Sequence, residues 1–526
     1  MSQKHDQPQS PLREIVQPFV DLVRAPRALW GINLAYVLEG MAYFGVLGYL
    51  ALHFSDFVFI GVENPNEIAH KMVGILTAGI TISMFFLGFI ADKKGIRFAL
   101  LWAFVLLLGG RVLISAAPTI MGLEPNGVWS PLHLVTMAGI LLIVVGYGMY
   151  QPAAYAGVRQ FTNPKNAAMA FAMLYALMNL GGWLPTFAFM LRDDDWLGIG
   201  IPGVLWVYTA FTAVALVTTW LILSKPTIAA ATKTAEEETA RIRAEEGTEE
   251  HAKKVEDAAQ KEAQRPATIR PHVWLVWSVT IVIFYFVIPQ PANFIAAAVM
   301  AIFPLAIVAL PLRLRTPIVR FISRHPLSNA RFSFFIFCLI PVQTLFTYNW
   351  FVLPQYIQRS FDGWIGEYFE IASNANPILI FILAPVIAAA TRKSDVYKMM
   401  ILGTTVMAAP AFLLVLGPYW WTLFGYILLM TVGEAMWQPR FLQWAAEIAP
   451  KGRTGEYMGV AQIPWFLTKL LVPLLYSGKM MDKFCPAQGP KDTQTMWLVF
   501  AVIAMGSPLL LVLAKRWMGK ELEEKA

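Results

Sequence analysis

Apolar runs of about 20 residues recur from near residue 29 to residue 517, and no other feature limits the fold as tightly. At 1.5 Å of rise per residue, a helical run of that length matches the ~30 Å hydrocarbon core of a bilayer. Lipid offers no partner for backbone N–H and C=O groups, so each run is predicted as a membrane-spanning helix. The chain is 57% hydrophobic and 14% charged, against roughly 25% charged residues in soluble domains. An aqueous globule is excluded. The formal net charge of +7 does not point to a nucleic-acid partner, because the basic residues lie between the apolar runs and form no single patch.

Hydropathy, with Pro, Gly and charge as boundaries, predicts six helices near 29–53, 72–91, 97–117, 131–158, 166–191 and 198–223. A second six falls near 331–357, 372–391, 396–417, 419–445, 455–478 and 496–517, with two further spans at 273–288 and 292–312 between the sets. The count is about fourteen. Cytoplasmic loops accumulate Lys and Arg. Lys93, Lys94 and Arg97, Arg159 and Lys165, Arg313 to Arg331, Arg392, Lys393 and Lys398, Lys451 and Arg453, and Lys515 and Arg516 all fall on one side. The opposite loops are poor in bases, and several are acidic, as at Asp193-Asp194-Asp195 and the segment with Asp56, Glu63 and Glu67. Both termini are therefore expected in the cytoplasm, in a cell (inner) membrane protein that keeps its N-terminus.

Two cysteines, Cys338 and Cys485, make neither a disulfide framework nor a metal-binding spacing. No cofactor or metal is expected. No nucleophile elbow, P-loop or HExxH stands in the sequence, so no catalytic residue is assigned. Residues 225–270 differ in kind, rich in Ala, Glu, Lys and Arg, with Glu237/Arg241, Glu249/Lys253 and Glu250/Lys254 four apart. They read as a solvated cytoplasmic helix with no sustained apolar seam. Residues 12–28 read either as a surface-lying amphipathic segment or as a plain tail.

Four ionisable residues sit inside separate predicted spans: Glu39, Arg111, Glu434 and Lys469. An acid at the centre of a span costs roughly 2.5–3.5 kcal/mol on insertion scales, so each should face a wet interior site or an opposite charge. The competing reading is a pair of structural ion pairs that lock helices together. Pro152, Pro385, Pro439, Pro464 and Pro473 interrupt their spans, and irregular backbone at membrane depth survives only beside protein or a water-filled cavity. Tyr43, Gln151, Tyr155, Tyr175, Asn179, Tyr348 and Asn349 would add neutral hydrogen-bonding groups. Together they predict a solute path.

Between the second and third spans, Gly88-Phe-Ile-Ala91-Asp92-Lys93-Lys94-Gly95-Ile-Arg97 resembles the signature loop of the major facilitator superfamily. The resemblance implies that Asp92, Lys93 and Arg97 form a cytoplasmic gate. The fifth span, with Phe171, Tyr175, Asn179 and Gly181-Gly182, is similar to that of the proton-dependent oligopeptide transporters, a branch of that superfamily. Gly433-Glu434, Pro439, Ala449-Pro450, Gly455 and Met458-Gly459 keep that family's order, as do Asn376-Pro377 and Ala384-Pro385. Two extra helices between the halves are also a feature of bacterial members. The departures fall on ionisable positions. The first-span ExxER motif aligns with Tyr36, Glu39 and Gly40, leaving one acid and no Arg. The fourth-span Lys is Gln151, and the seventh span has no acid.

The combined reading is an all-α membrane protein of the major facilitator fold, with two six-helix bundles and two accessory transmembrane helices. Its segments are a tail (1–28), an N-terminal bundle (29–224), the charged insert (225–270), the accessory helices (271–312), a C-terminal bundle (313–518) and a tail (519–526). It is expected to act as a monomeric secondary transporter of a peptide-like or other small polar organic solute. Glu434 would take a cationic group, Tyr43, Gln151, Tyr175 and Asn179 would orient the ligand, Arg111 or Lys469 would take its carboxylate, and Glu39 is the proton-carrier candidate. The alternatives are an uncoupled facilitator or exporter of another solute, and a non-transporting receptor on the same fold.

Overall fold

The computed structural model describes the chain except residues 1–19, 21–22, 61, 64, 126, 246–268, 288–291, 368, 392–393, 451, 473–476, 487 and 526. Every described element is helical. The first bundle comprises α1 (Arg27–His53), α2 (Pro65–Leu87, continued by Phe89–Lys94), α3 (Ile96–Thr119), α4 (Pro131–Gln160), α5 (Ala167–Arg192) and α6 (Gly200–Ile222). Then come α7 (Lys225–Glu245), α8 (Pro271–Val287), α9 (Ala292–Ala309) and α10 (Leu312–Arg324). The second bundle comprises α11 (Ala330–Phe351), α12 (Ala375–Ala390), α13 (Val396–Leu416), α14 (Trp420–Glu447), α15 (Thr454–Ala461, continued by Ile463–Val472) and α16 (Thr493–Lys525). Among the described residues, eight helices are long and apolar enough to cross a membrane: α2 to α6, α11, α13 and α16. The chain is an integral membrane protein.

The helices pack where glycine lets backbones meet. A Cβ on Gly110 of α3 would lie 2.4 Å from the Gly139 carbonyl of α4, and one on Gly433 of α14 would lie 2.1 Å from the Met407 nitrogen of α13. Without a hydrophobic driving force between helices in lipid, such close approach supplies the packing energy. Between the bundles, α5 packs on α12 and α14, and α4 and α2 pack on α15.

Three segments differ from the sequence reading. The α7 helix is exposed over most of its surface, as expected, but packs one stripe against the first bundle: Ala231, Ala235 and Ile242 are buried, Gln160 donates to the Thr232 hydroxyl at 2.8 Å, and Asn163 donates to Glu238. Alanines four residues apart make too weak an apolar seam to be visible in hydropathy, yet fit a close helix contact. Glu237 meets Lys233 at 3.7 Å, whereas the pairs at Glu249 and Glu250 lie outside the described residues, as does most of 12–28. Second, the arginine run before the second bundle is itself helical (α10), with Leu314 and Phe321 exposed beside Arg313 and Arg320. The bundle proper starts at Ala330. Third, α16 runs on through the expected tail to Lys525. Pro473 lies outside the described residues.

Candidate functional site

Two of the four ionisable residues inside the predicted spans pair with each other. Arg111 of α3 grips Glu39 of α1 with both terminal nitrogens, at 2.6 and 2.7 Å, and the two side chains are 2% and 1% exposed. Tyr147 of α4 donates its hydroxyl to Glu39, and Arg111 also donates to the Thr212 hydroxyl of α6. The cluster joins four helices of one bundle. The fork geometry of the guanidinium suits a carboxylate, and each partner offsets part of the other's desolvation cost. Only the Arg111 Nε is left without an acceptor. Tyr147 and Thr212 carried no sequence signal, because single hydroxyls in apolar spans are common.

Glu434 of α14 is also buried, at 1% exposure, and its partners cross the molecule. Tyr175 of α5 donates to Oε1 at 2.6 Å, and Asn376 of α12 donates to Oε2 at 2.8 Å. Asn376 also reaches the Thr431 hydroxyl at 3.0 Å. One carboxylate thus joins the two bundles. Asn179 turns back to the Tyr175 carbonyl at 3.0 Å, one helical turn earlier.

Lys469 of α15 has a different setting. Its ammonium stands 3.6 Å from the ring centroid of Trp465 and 5.9 Å from that of Trp350, and no carboxylate reaches it among the described residues. It lines a cavity of about 20 Å³ with Tyr43, Thr81, Tyr147 and Gln151, room for about one water. The cavity lies where α1, α2, α4 and α5 of one bundle face α15 of the other. Arg111 does not line it; Lys469 and Gln151 share it. A larger cleft, about 700 Å³, lies under α7 and is bordered by Arg24, Arg27 and Glu238, away from the bundle interface.

The basic end of the molecule is closed. Asp92 at the end of α2 accepts from the backbone nitrogens of Gly455 and Glu456, at 2.9 and 3.0 Å, and so caps the first turn of α15 in the opposite bundle. A carboxylate there also meets the positive end of the helix dipole. A Cβ on Gly455 would stand 2.4 Å from the Gly88 carbonyl, and one on Gly459 2.5 Å from that of Met84, so α2 and α15 touch backbone to backbone. Lys93 and Arg97 stay within their own bundle. Lys93 lies over Phe89, with 4.4 Å to the centroid, and Arg97 donates to the Trp220 carbonyl at 3.1 Å and to that of Leu223 at the end of α6. Arg453 binds Glu456 at 2.8 Å and the Arg324 carbonyl at 2.6 Å, tying α15 to α10. Beside it His325 packs between Phe85 and Phe321; burial, with the Arg453 charge next, lowers its pKa to about 4, so the ring is neutral.

No family model matches the chain, and no curated protein matches it in sequence. Solved structures do. The chain is similar to the oligopeptide-transporter family member PepTSo, with 17% identity, 94% of this chain and 99% of that chain covered, and a TM-score of 0.56. It is similar to a transporter of the same family in complex with 5-aminolevulinic acid, with 16% identity, 94% and 97% covered, and a TM-score of 0.53. It is also similar to the human organic anion transporter MFSD10 (TETRAN), with 14% identity, 92% and 99% covered, and a TM-score of 0.55. The fold is that of the major facilitator transporters, as the sequence resemblance implied.

Proposed function

We propose that the chain is a secondary transporter that moves a peptide-like or other small polar organic solute by rocking its two bundles about a central site. The observation that carries this reading is the setting of Lys469, Gln151 and Tyr43: polar side chains from both bundles converge on one small cavity. Their termini have no protein hydrogen-bond or ion-pair partner among the described residues. In a purely structural core such groups would be paired. Glu434, with Tyr175 and Asn376, supports the reading as a contact between bundles that must be remade as they rock. Asp92 is the gate residue at the basic end, which the positive-inside rule places in the cytoplasm. The closed conformation is then the one shut toward the cytoplasm.

For protons, Glu39 is the candidate, since protonating it would cancel the attraction that holds Arg111. The uncoupled alternative has a specific support: Glu39 and Glu434 are both already held by protein donors. Uptake into proteoliposomes separates them. Coupling requires that an inward proton gradient accelerate uptake and that Glu39→Gln abolish the acceleration; equal uptake with and without the gradient favours the facilitator. Transport and pH profile unchanged in Glu434→Gln would remove Glu434 from the site.

A further inference from the structure

Of the four ionisable residues within the spans, Lys469 alone has no hydrogen-bond or ion-pair partner among the described residues. Glu39 is held by Arg111 and Tyr147, and Glu434 by Tyr175 and Asn376. Arg440, a buried cation of the second bundle, donates to the Thr391 carbonyl at 2.6 Å and to Gln443 at 3.1 Å. Lys469 has aromatic faces and no anion among the described residues. A cation–π contact offsets part of the cost of desolvating an ammonium, but leaves its three N–H donors without acceptors. The groups around it are of the kind that complete an anion site: the Tyr43 and Thr81 hydroxyls and the Gln151 amide. Trp465 supplies a flat apolar wall.

We infer that the solute of this site is an organic anion whose carboxylate pairs with Lys469, rather than a zwitterion held at both ends. The inference rests on the transport reading and narrows it. A zwitterion's ammonium would have to displace Arg111 from Glu39 or break the contact that Glu434 makes between bundles. An anion needs neither, and it supplies the acceptor that Lys469 lacks among the described residues. The resemblance places the carboxylate-binding cation on the fourth span, where Gln151 stands; here the cation projects into the same cavity from the facing bundle, on α15.

The test uses purified full-length protein and three probes that share one ring: phenylacetate, phenylalanine and phenethylamine. Binding is read from thermal stabilisation and from quenching of tryptophan fluorescence. Phenylacetate should bind tightest, with Lys469→Gln and Lys469→Met each weakening it on the order of tenfold or more and Lys469→Arg retaining part of the affinity. Both neutral variants are first shown to keep the parent's elution profile. Tighter binding of phenylalanine or phenethylamine overturns the inference. So does unchanged affinity in the neutral variants, or no stabilisation by any carboxylate in a series from acetate to indole-3-acetate. Lys469-dependent binding without flux in proteoliposomes would instead sink the transport reading and leave the anion site standing. Flux of a zwitterion that survives Lys469→Gln would do the reverse.

Discussion

Removing the Asp92 carboxylate should open the basic end of the molecule. Two bonds from backbone N–H groups to a charged acceptor, at 2.9 and 3.0 Å, join the bundles at this point. Hydrogen bonds to charged groups contribute about 1.5–3 kcal/mol each. Asp92 is half-buried, so the lower figure applies, and Asp92→Ala should cost the closed state about 3 kcal/mol. That is a shift on the order of 100-fold in the closed-to-open ratio, enough to bring a ~99:1 equilibrium close to even. Asp92→Asn keeps one acceptor oxygen and should lose about half as much. Spin labels at Lys94 and Ser394, both exposed and one on each bundle, report the separation by pulsed electron resonance once the buried Cys338 and Cys485 are replaced. Asp92→Ala should add a longer distance that Lys93→Ala does not, because among the described residues the Lys93 ammonium lies over Phe89 of its own helix and bridges to no group of the other bundle. Identical distance distributions in Asp92→Ala and the parent would refute the reasoning.

The same spin-label pair tests the glycine contact: Gly455→Ala puts a methyl group 2.4 Å from the Gly88 carbonyl, and overpacking of this kind costs about 1–3 kcal/mol, so it should also favour the open basic end. For Glu39 and Arg111, substituting either alone by Gln leaves a buried charge unmatched, at about 3–5 kcal/mol. The melting midpoint should fall sharply in each single variant and less in the double; additive losses would show that the pair is not coupled. For α10, Leu314 and Phe321 are exposed next to Arg313 and Arg320, as in helices that lie in a bilayer interface. A polarity-sensitive dye at Phe321→Cys should shift to the blue on moving from detergent to nanodiscs with anionic lipid. Arg313→Gln with Arg320→Gln should weaken that lipid's effect, since each basic residue contributes about 1 kcal/mol near an anionic surface.

The fold was legible because lipid leaves few solutions. Long apolar runs had to be helices, and the signature residues around Asp92 and Tyr175 selected one arrangement of them. What escaped was marginal in hydropathy. The packed stripe of α7 rests on Ala231, Ala235 and Ile242, and α10 mixes arginine with apolar residues so that its average is polar although one of its faces is apolar. Both are properties of a helical face, which window averages remove.

The candidate site was legible as a set of ionisable residues in apolar spans but not as a set of pairs. The sequence exposes Glu39, Arg111, Glu434 and Lys469 equally, since each is a charge in an apolar span. It cannot say which meet, because every pairing joins helices distant in sequence: residue 39 to 111, and 434 to 175 and 376. Once Arg111 is committed to Glu39, the choice between Arg111 and Lys469 for a ligand's carboxylate is made by elimination. Arg111 cannot serve without stranding a buried acid, while Lys469 gains its missing acceptor. That asymmetry has a corollary. An anion at Lys469 takes no hydrogen bond from Glu39 or Arg111, so its binding should be insensitive to the Glu39–Arg111 pair. Double variants at Glu39 and Arg111 that remain folded should therefore bind phenylacetate as the parent does, and a loss of binding in them would show that the two clusters act as one site.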